Sequence, residues 1–410
     1  MQLGQFGGTA DPHRHADPEG VRGLGHVRGP QDRTSGHRSA RPDPAGEQAD
    51  AVENCAVLGT HGRHQTVRVP GALVSLVLVD GTLLVQCTVK DADQAAELAG
   101  GLVISGPRAV TKAQELRARG YERPVLCDAQ LYAGNHRKPA RAAFDRTWLL
   151  CQQGRVLTDS GYVAKLDIRG LQTILHRTMR LGPGFIATLP LHADWLKVQQ
   201  DREILLHEVA FAEVPIAVAL EHAADPLGVR AVVTGLLELL SVGVPVVLLR
   251  SDVSALGALC HGAMAAAVGT TTGLRHIYPV STGGGFHRPA VAAFSPHFLS
   301  YVSVDKLAAA VQLTPDLSHL WECECTTCNG RTLDWLATAP SVAFRHSLEL
   351  MGLLRDQLLS VPERALAWRE RCNMAAALHT EIQAELPDWR TPPFLNAWRY
   401  ASTPSSINLP

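Results

Sequence analysis

Apolar residues recur along this chain in two alternating rhythms. From Ala72 the run ALVSLVLVDGTLLVQCTV sets two β-branched, apolar stretches on either side of Asp80-Gly81, the signature of a tight antiparallel hairpin. Beyond it, short buried-strand patterns are expected at Leu102–Ser105, Val125–Leu131, Val156–Asp159, Phe185–Leu189, Ile216–Leu220, Val246–Arg250, Ala265–Gly269 and Ala290–Phe294. Between several of them lie segments with apolar residues at helical spacing, such as AVTKAQELRARGY, IRGLQTILHRTMRL and VRAVVTGLLELLSVG. About eight such β/α units over about 200 residues match an α/β fold of the TIM (β/α)8 barrel type. A doubly wound open sheet is the runner-up, since periodicity does not report closure. Against it, no G-x-G-x-x-G follows the first strand, and Gly283-Gly284-Gly285 lacks the Lys-Ser/Thr of a phosphate cradle. From Val342 the pattern turns helical, through SVAFRHSLELMGLLRDQLLSV and ERALAWRERCNMAAALHTEIQAEL, and after Pro392 it reads as irregular.

The chain thus divides into a tail over 1–65, a β-hairpin and barrel over 66–310, and a metal-binding and helical region over 311–410. The tail is rich in Gly, Pro, Asp, Arg and His and offers too little apolar surface to offset the entropy of ordering it. Composition adds little to this picture: 46% hydrophobic, 19% charged and a formal net charge of −1 give no electrostatic case for non-specific nucleic-acid binding, though a local basic groove stays open. No uninterrupted apolar run reaches the roughly 18 residues of a membrane span, and no secretory signal pattern opens the chain. Most of the nine cysteines stand singly in apolar runs, which points to a reducing, cytoplasmic setting.

One cysteine cluster departs from that pattern. WECECTTCNG brings Cys323, Cys325 and Cys328 together as C-x-C-x-x-C. Thiolates are soft ligands for zinc or an iron–sulfur centre. Zinc requires a fourth ligand, for which His346 at the start of the next helix is the candidate; Cys372 would be the fourth ligand of an iron–sulfur cluster. A closed Cys3His shell leaves no position for water, so the expected Zn2+ is structural, pinning the helix to the barrel.

The order of these segments, PDLSHLWECECTTCNG followed by FRHSLELMGLLRDQ, resembles the tRNA-guanine transglycosylase family, including its relatives that place 7-deazaguanines in DNA. In that family a barrel preceded by an antiparallel sheet is followed by a C-x-C-x-x-C zinc site completed by a histidine. Val156-Leu157-Thr158-Asp159-Ser160-Gly161 resembles the family's T-D-S-G-G-F-Q stretch, with Tyr162 and Val163 where Gly-Phe is expected. Ala267-Val268-Gly269-Thr270 resembles the Ala-Ile-Gly-Gly stretch whose backbone contacts the base. The resemblance implies replacement of guanine by a 7-deazaguanine in tRNA or DNA, through an aspartate that attacks the sugar. The partners it implies are tRNA or DNA, the guanine or 7-deazaguanine base, and a protein partner or second copy of the chain, with no membrane.

Functional residues of a TIM barrel sit at the C-terminal ends of its strands. Those ends carry Asp128, Asp159, His192 with Asp194, Glu221 with His222, Arg250 with Asp252, and the loop from Gly269 to Arg275. Asp159, Asp128 and Asp252 are the catalytic candidates; Ser160, Gly161, Glu221, Arg250 and Gly269 are the candidates for holding a base. Solvation alone explains any one of these, and it is their repetition at successive strand ends that points to a site. The family's F-D-C segment has no counterpart, because no aspartate follows Asp252 before Asp305. Either another carboxylate serves, or the chain is a non-catalytic, nucleic-acid-binding subunit of the same fold; an unrelated barrel binding a small metabolite is the third reading.

Overall fold

The computed structural model describes residues 80–280 and 290–401. The tail over 1–65, the first arm of the expected hairpin and the triple glycine lie outside the described residues. Eight strands build the main sheet: β1 (Thr82–Thr88), β2 (Leu102–Ser105), β3 (Val125–Asp128), β4 (Val156–Leu157), β5 (Phe185–His192), β6 (Ile216–Glu221), β7 (Val246–Ser251) and β8 (Ala265–Gly269). Four short strands follow: β9 (Ala292–Ser295), β10 (Ser300–Ser303), β11 (Glu322–Cys323) and β12 (Arg331–Thr332). The helices are α1 (Ala92–Leu98), α2 (Ala109–Ala118), α3 (Arg146–Leu150), α4 (Ile168–Leu181), α5 (Asp194–Lys197), α6 (Gln199–Ala212), α7 (Arg230–Leu240), α8 (Ser254–Cys260), α9 (Val304–Leu313), α10 (Ala343–Leu359), α11 (Arg364–Glu385) and α12 (Pro393–Tyr400).

The main sheet runs β3-β2-β1-β8-β7-β6-β5-β4, all parallel, so the order is cyclic and the ring is nearly closed, opening only between β3 and β4. Side chains bridge that gap. Leu84, Val103, Leu126, Leu157, Ile186, Ala217, Val247 and Ala265, at least one from each strand, fall into a single interior cluster. Alternate residues of each strand face outward onto the helices, which is why the strands are apolar throughout rather than alternating.

Two expectations are corrected by this topology. Thr82–Thr88, read as the return arm of an antiparallel hairpin, is a barrel strand with parallel partners on both edges, Val85 facing Leu102 on one side and Val268 on the other. Because β1 already meets β8, the apolar run at 290–294 has no place in the ring; its strand, β9, pairs antiparallel with β10 outside it. A third correction concerns the C-terminus, where Pro392-Pro393 opens helix α12 instead of an irregular end, proline being favoured in a first helical turn.

Register sets the chemistry of the barrel mouth. Ser105 pairs with Asp128 and His192 with Glu221, so the polar residues that end neighbouring strands stand at one level. No helix among the described residues is long and apolar enough to cross a membrane.

Candidate metal centre and barrel mouth

The cysteine motif forms a small knuckle between β11 and β12. Cys325 O accepts the N–H groups of Cys328 (3.1 Å) and Asn329 (2.8 Å), and Cys323 O accepts that of Gly330 (2.9 Å). The turn closes through left-handed residues at Asn329 and Gly330, a conformation glycine and asparagine adopt at low cost. His346 enters from the first turn of α10, and its Nδ1 lies 3.7, 3.5 and 3.2 Å from the sulfurs of Cys323, Cys325 and Cys328. A tetrahedral ion with bonds of about 2.3 Å to sulfur and 2.0–2.1 Å to nitrogen separates such atoms by roughly 3.5 Å. The four ligand atoms all lie within 4.8 Å of one another on buried residues, so the cluster can hold one metal ion.

The surroundings complete the design. His346 Nε2 lies 2.8 Å from Phe294 O, a contact that requires its proton there and leaves the Nδ1 lone pair for a metal. Glu349, one turn further along α10, accepts hydrogen bonds from Thr326 N (2.6 Å) and Thr326 Oγ1 (2.8 Å), tying the knuckle to the helix that supplies the histidine. Cys372 sits on α11 outside the group, so the four-cysteine set of an iron–sulfur cluster is not assembled.

At the barrel mouth the strand-end residues fall into separate groups. Asp128 is the hub of the first. Its Oδ2 accepts from Gln86 Nε2 (3.0 Å), Ser105 Oγ (3.0 Å) and Tyr132 OH (2.8 Å), and its Oδ1 from Gln130 N (2.9 Å). Arg250 joins through Nε to Tyr132 OH (2.9 Å), with Nη2 3.8 Å from Asp128 Oδ2, and its backbone N–H donates to Gln86 Oε1 at 2.7 Å. Asp128 and Arg250 are thus a buried, internally paired set.

Glu221 anchors the second group, ion-paired with Arg137 and accepting from Tyr162 OH, while the Arg137 guanidinium lies 3.7 Å from the Tyr162 ring centre. Tyr162, which departs from the transglycosylase pattern, therefore has a packing role here. Tyr132, Tyr162 and Ile277 extend the interior cluster to the mouth. Ile277 is held by its N–H on Leu220 O (2.8 Å) and its carbonyl on His222 N (3.0 Å).

The remaining candidates are placed singly. Asp159 accepts from Asp145 N (2.7 Å) through Oδ2, whereas its buried Oδ1 has no partner; burial holds this carboxyl above the usual carboxylate range. Ser160 shares a hydrogen bond with Thr158 (2.8 Å). Gly161 and Gly269 are close-approach positions, where a Cβ would collide with the carbonyls of Pro139 and Leu274. Asp252 accepts from Ser254 N (3.1 Å) at the start of α8, and burial raises its pKa against the opposing pull of Arg275. Asp225, a neighbouring carboxyl not singled out from the sequence, is raised by its own burial and by Asp252.

Sequence reasoning also missed Gln86, Ser105, Tyr132, Arg137 and His276. Gln86 was detectable as a lone amide inside LLVQC. His276 lies beside His222 and Arg250, with a buried Nε2 that has no partner, and burial holds its pKa down at about 4.

These features define a nearly closed α/β barrel protein with a buried Cys3His cluster, toward the C-terminal end of the chain, that could hold a metal ion. No protein-family model matches the chain, and no curated protein matches it significantly.

Proposed function

We propose that the chain is a zinc-stabilised TIM barrel of the transglycosylase type that binds tRNA or DNA as a non-catalytic subunit beside a catalytic partner in the cytoplasm. The observation that carries this reading is the occupation of Asp128: four donors and the Arg250 guanidinium already use its carboxylate. A nucleophile needs a lone pair facing the sugar, and these are committed to the fold. β8 ends in Ala-Val-Gly, and no carboxylate follows it before Asp305. Zinc is the ion the Cys3His set suits best, and a closed shell assigns it to structure.

A specific observation keeps a second reading. Asp159 has an unpartnered carboxylate oxygen and a raised pKa, as suits an acid in guanine or 7-deazaguanine exchange. Incubation with radiolabelled guanine and either tRNA or duplex DNA, with binding measured in parallel, separates the two. Binding without incorporation is expected. Incorporation that Asp159→Asn abolishes would establish exchange, and failure of both binding and incorporation would leave a barrel for a small metabolite.

A further inference from the structure

The opening of the ring between β3 and β4 is bridged at the mouth by the chain that leaves β3. Residues 129–145 connect β3 to α3, a length at which an ordered loop usually carries function. Its backbone is fixed. Lys138 N–H donates to Leu131 O (2.7 Å), Tyr162 N–H to Lys138 O (2.8 Å) and Ala140 N–H to Tyr162 O (2.9 Å). Arg177 of α4 donates in turn to Arg141 O (3.2 Å) and Ala142 O (2.6 Å).

This fixed loop reads Asn135-His136-Arg137-Lys138-Pro139-Ala140-Arg141. Arg137 is neutralised by Glu221. Lys138 and Arg141 are exposed, and neither side chain has a hydrogen-bond or ion-pair partner among the described residues. The carboxylates of the flanking segments are committed elsewhere: Asp145 caps α3 through Thr147 N (2.9 Å) and Trp148 N (3.1 Å), and Asp167 caps α4 through Gly170 N (3.0 Å). Lys138 belongs to the mouth, since its charge reaches Asp159 and opposes the rise in pKa that burial causes there.

An exposed aromatic ring stands close by. Glu221 meets Arg137 through its carboxylate and Ile277 through its backbone, so the basic loop and the residue after Ile277 border the same part of the mouth. That residue is Tyr278, 46% exposed, with its ring 4.0 Å from the ring of His276 at 44°. Backbone hydrogen bonds on both sides of Ile277 and the ring beside it hold Tyr278 in place, so stacking on it costs little further side-chain entropy.

Fixed cations without acceptors call for phosphates, and an exposed ring beside them calls for another planar ring. An unpaired strand presents both together, whereas a duplex keeps its base faces stacked inside. We propose that an unpaired nucleic-acid segment lies across the barrel mouth, with a base on Tyr278 and neighbouring phosphates on Lys138 and Arg141. This surface rests on the nucleic-acid reading above and narrows its ligand to an unpaired strand.

The test is fluorescence anisotropy on the full chain with an oligothymidylate of about 12 nucleotides, a DNA duplex of the same length, unfractionated tRNA and a poly-glutamate peptide. The single strand is expected to bind more tightly than the duplex, and the peptide not to bind. Tyr278→Ala is expected to weaken single-strand binding about fivefold or more, with Tyr278→Phe close to the parent. Lys138→Gln/Arg141→Gln is expected to reduce the slope of log affinity against log salt by about 1.4, at about 0.7 for each phosphate of a single strand. Arg364→Gln/Arg369→Gln, which removes two exposed charges from α11, should leave that slope unchanged. Melting of each variant without ligand separates lost binding from lost folding. Binding of tRNA or duplex without binding of the single strand overturns this surface and leaves the nucleic-acid reading standing. Single-strand affinity and salt slope unchanged in the folded Tyr278→Ala and Lys138→Gln/Arg141→Gln proteins do the same. Equal binding of the peptide also overturns the surface. No binding of any nucleic acid overturns the nucleic-acid reading, and the surface with it.

Discussion

Asp128→Ala distinguishes a structural carboxylate from a catalytic one. The substitution strands Gln86 Nε2, Ser105 Oγ and Tyr132 OH in the interior and removes the carboxylate nearest the Arg250 guanidinium, whose side chain is 1% exposed. Removing one member of a buried charge pair costs about 3–5 kcal/mol, because the remaining charge is left uncompensated. Each stranded donor adds about 1–3 kcal/mol where it cannot find another acceptor. Gln86 and Ser105 can turn toward each other, being already 2.9 Å apart, so the lower figure of about 3–5 kcal/mol is the expected loss. At roughly 2 °C per kcal/mol for a chain of this size, the melting temperature falls by about 6–10 °C. Calorimetry and urea unfolding of the parent, Asp128→Ala and Asp128→Asn proteins check this, with Asn, which keeps the shape and one acceptor, falling between. Had Asp128 been retained for chemistry, removing its buried charge would leave stability unchanged or raised. An Asp128→Ala protein as stable as the parent would therefore refute the argument.

The metal knuckle predicts about one zinc per chain by elemental analysis and loss of the native melting transition on chelation or in Cys325→Ser; iron in place of zinc, or zinc loss with unchanged folding, refutes it. Glu349→Ala removes the clamp on Thr326 without touching a ligand, so zinc should transfer to a chelator about tenfold faster or more while its content at rest is unchanged. Burial depresses His276 and His379 to about 4, so between pH 6.5 and 4 the unfolded chain binds protons that the folded chain does not. Their stability contribution is full above pH 6.5 and lost as pH falls toward 4; His276→Asn should flatten that slope by up to about one proton, and an unaltered slope counts against it. Gly257→Ala would set a Cβ 2.6 Å from Trp368 Nε1 and 2.8 Å from Trp398 Cζ2, costing about 1–3 kcal/mol by overpacking, and an unshifted urea midpoint would contradict this.

The physical range of each signal explains what could be read from the sequence. Seven of the eight barrel strands announced themselves because both faces of a parallel strand are buried, which leaves an apolar run visible in isolation. The eighth, β1, was just as apolar, but the turn chemistry of Asp80-Gly81 assigned it a local partner, whereas its ladders are to Leu102–Ser105 and the distant Ala265–Gly269. Register between segments so far apart leaves no local trace. The cysteines were legible for the opposite reason: three ligands within six residues encode most of a tetrahedral site, and His346 needed only a helix to bring it back. The mouth residues fall between these cases. Asp128, Glu221 and Arg250 were found because strand ends in a barrel converge, but their partners Gln86, Tyr132, Tyr162 and Arg137 come from other segments and carry no motif. Those partners decide the chemistry. A carboxylate at a strand end reads as a reagent until its lone pairs are counted, and Asp128 then becomes part of the frame. Asp159 keeps one oxygen uncommitted, so under the function proposed above the choice between binding subunit and base-exchange enzyme turns on that atom.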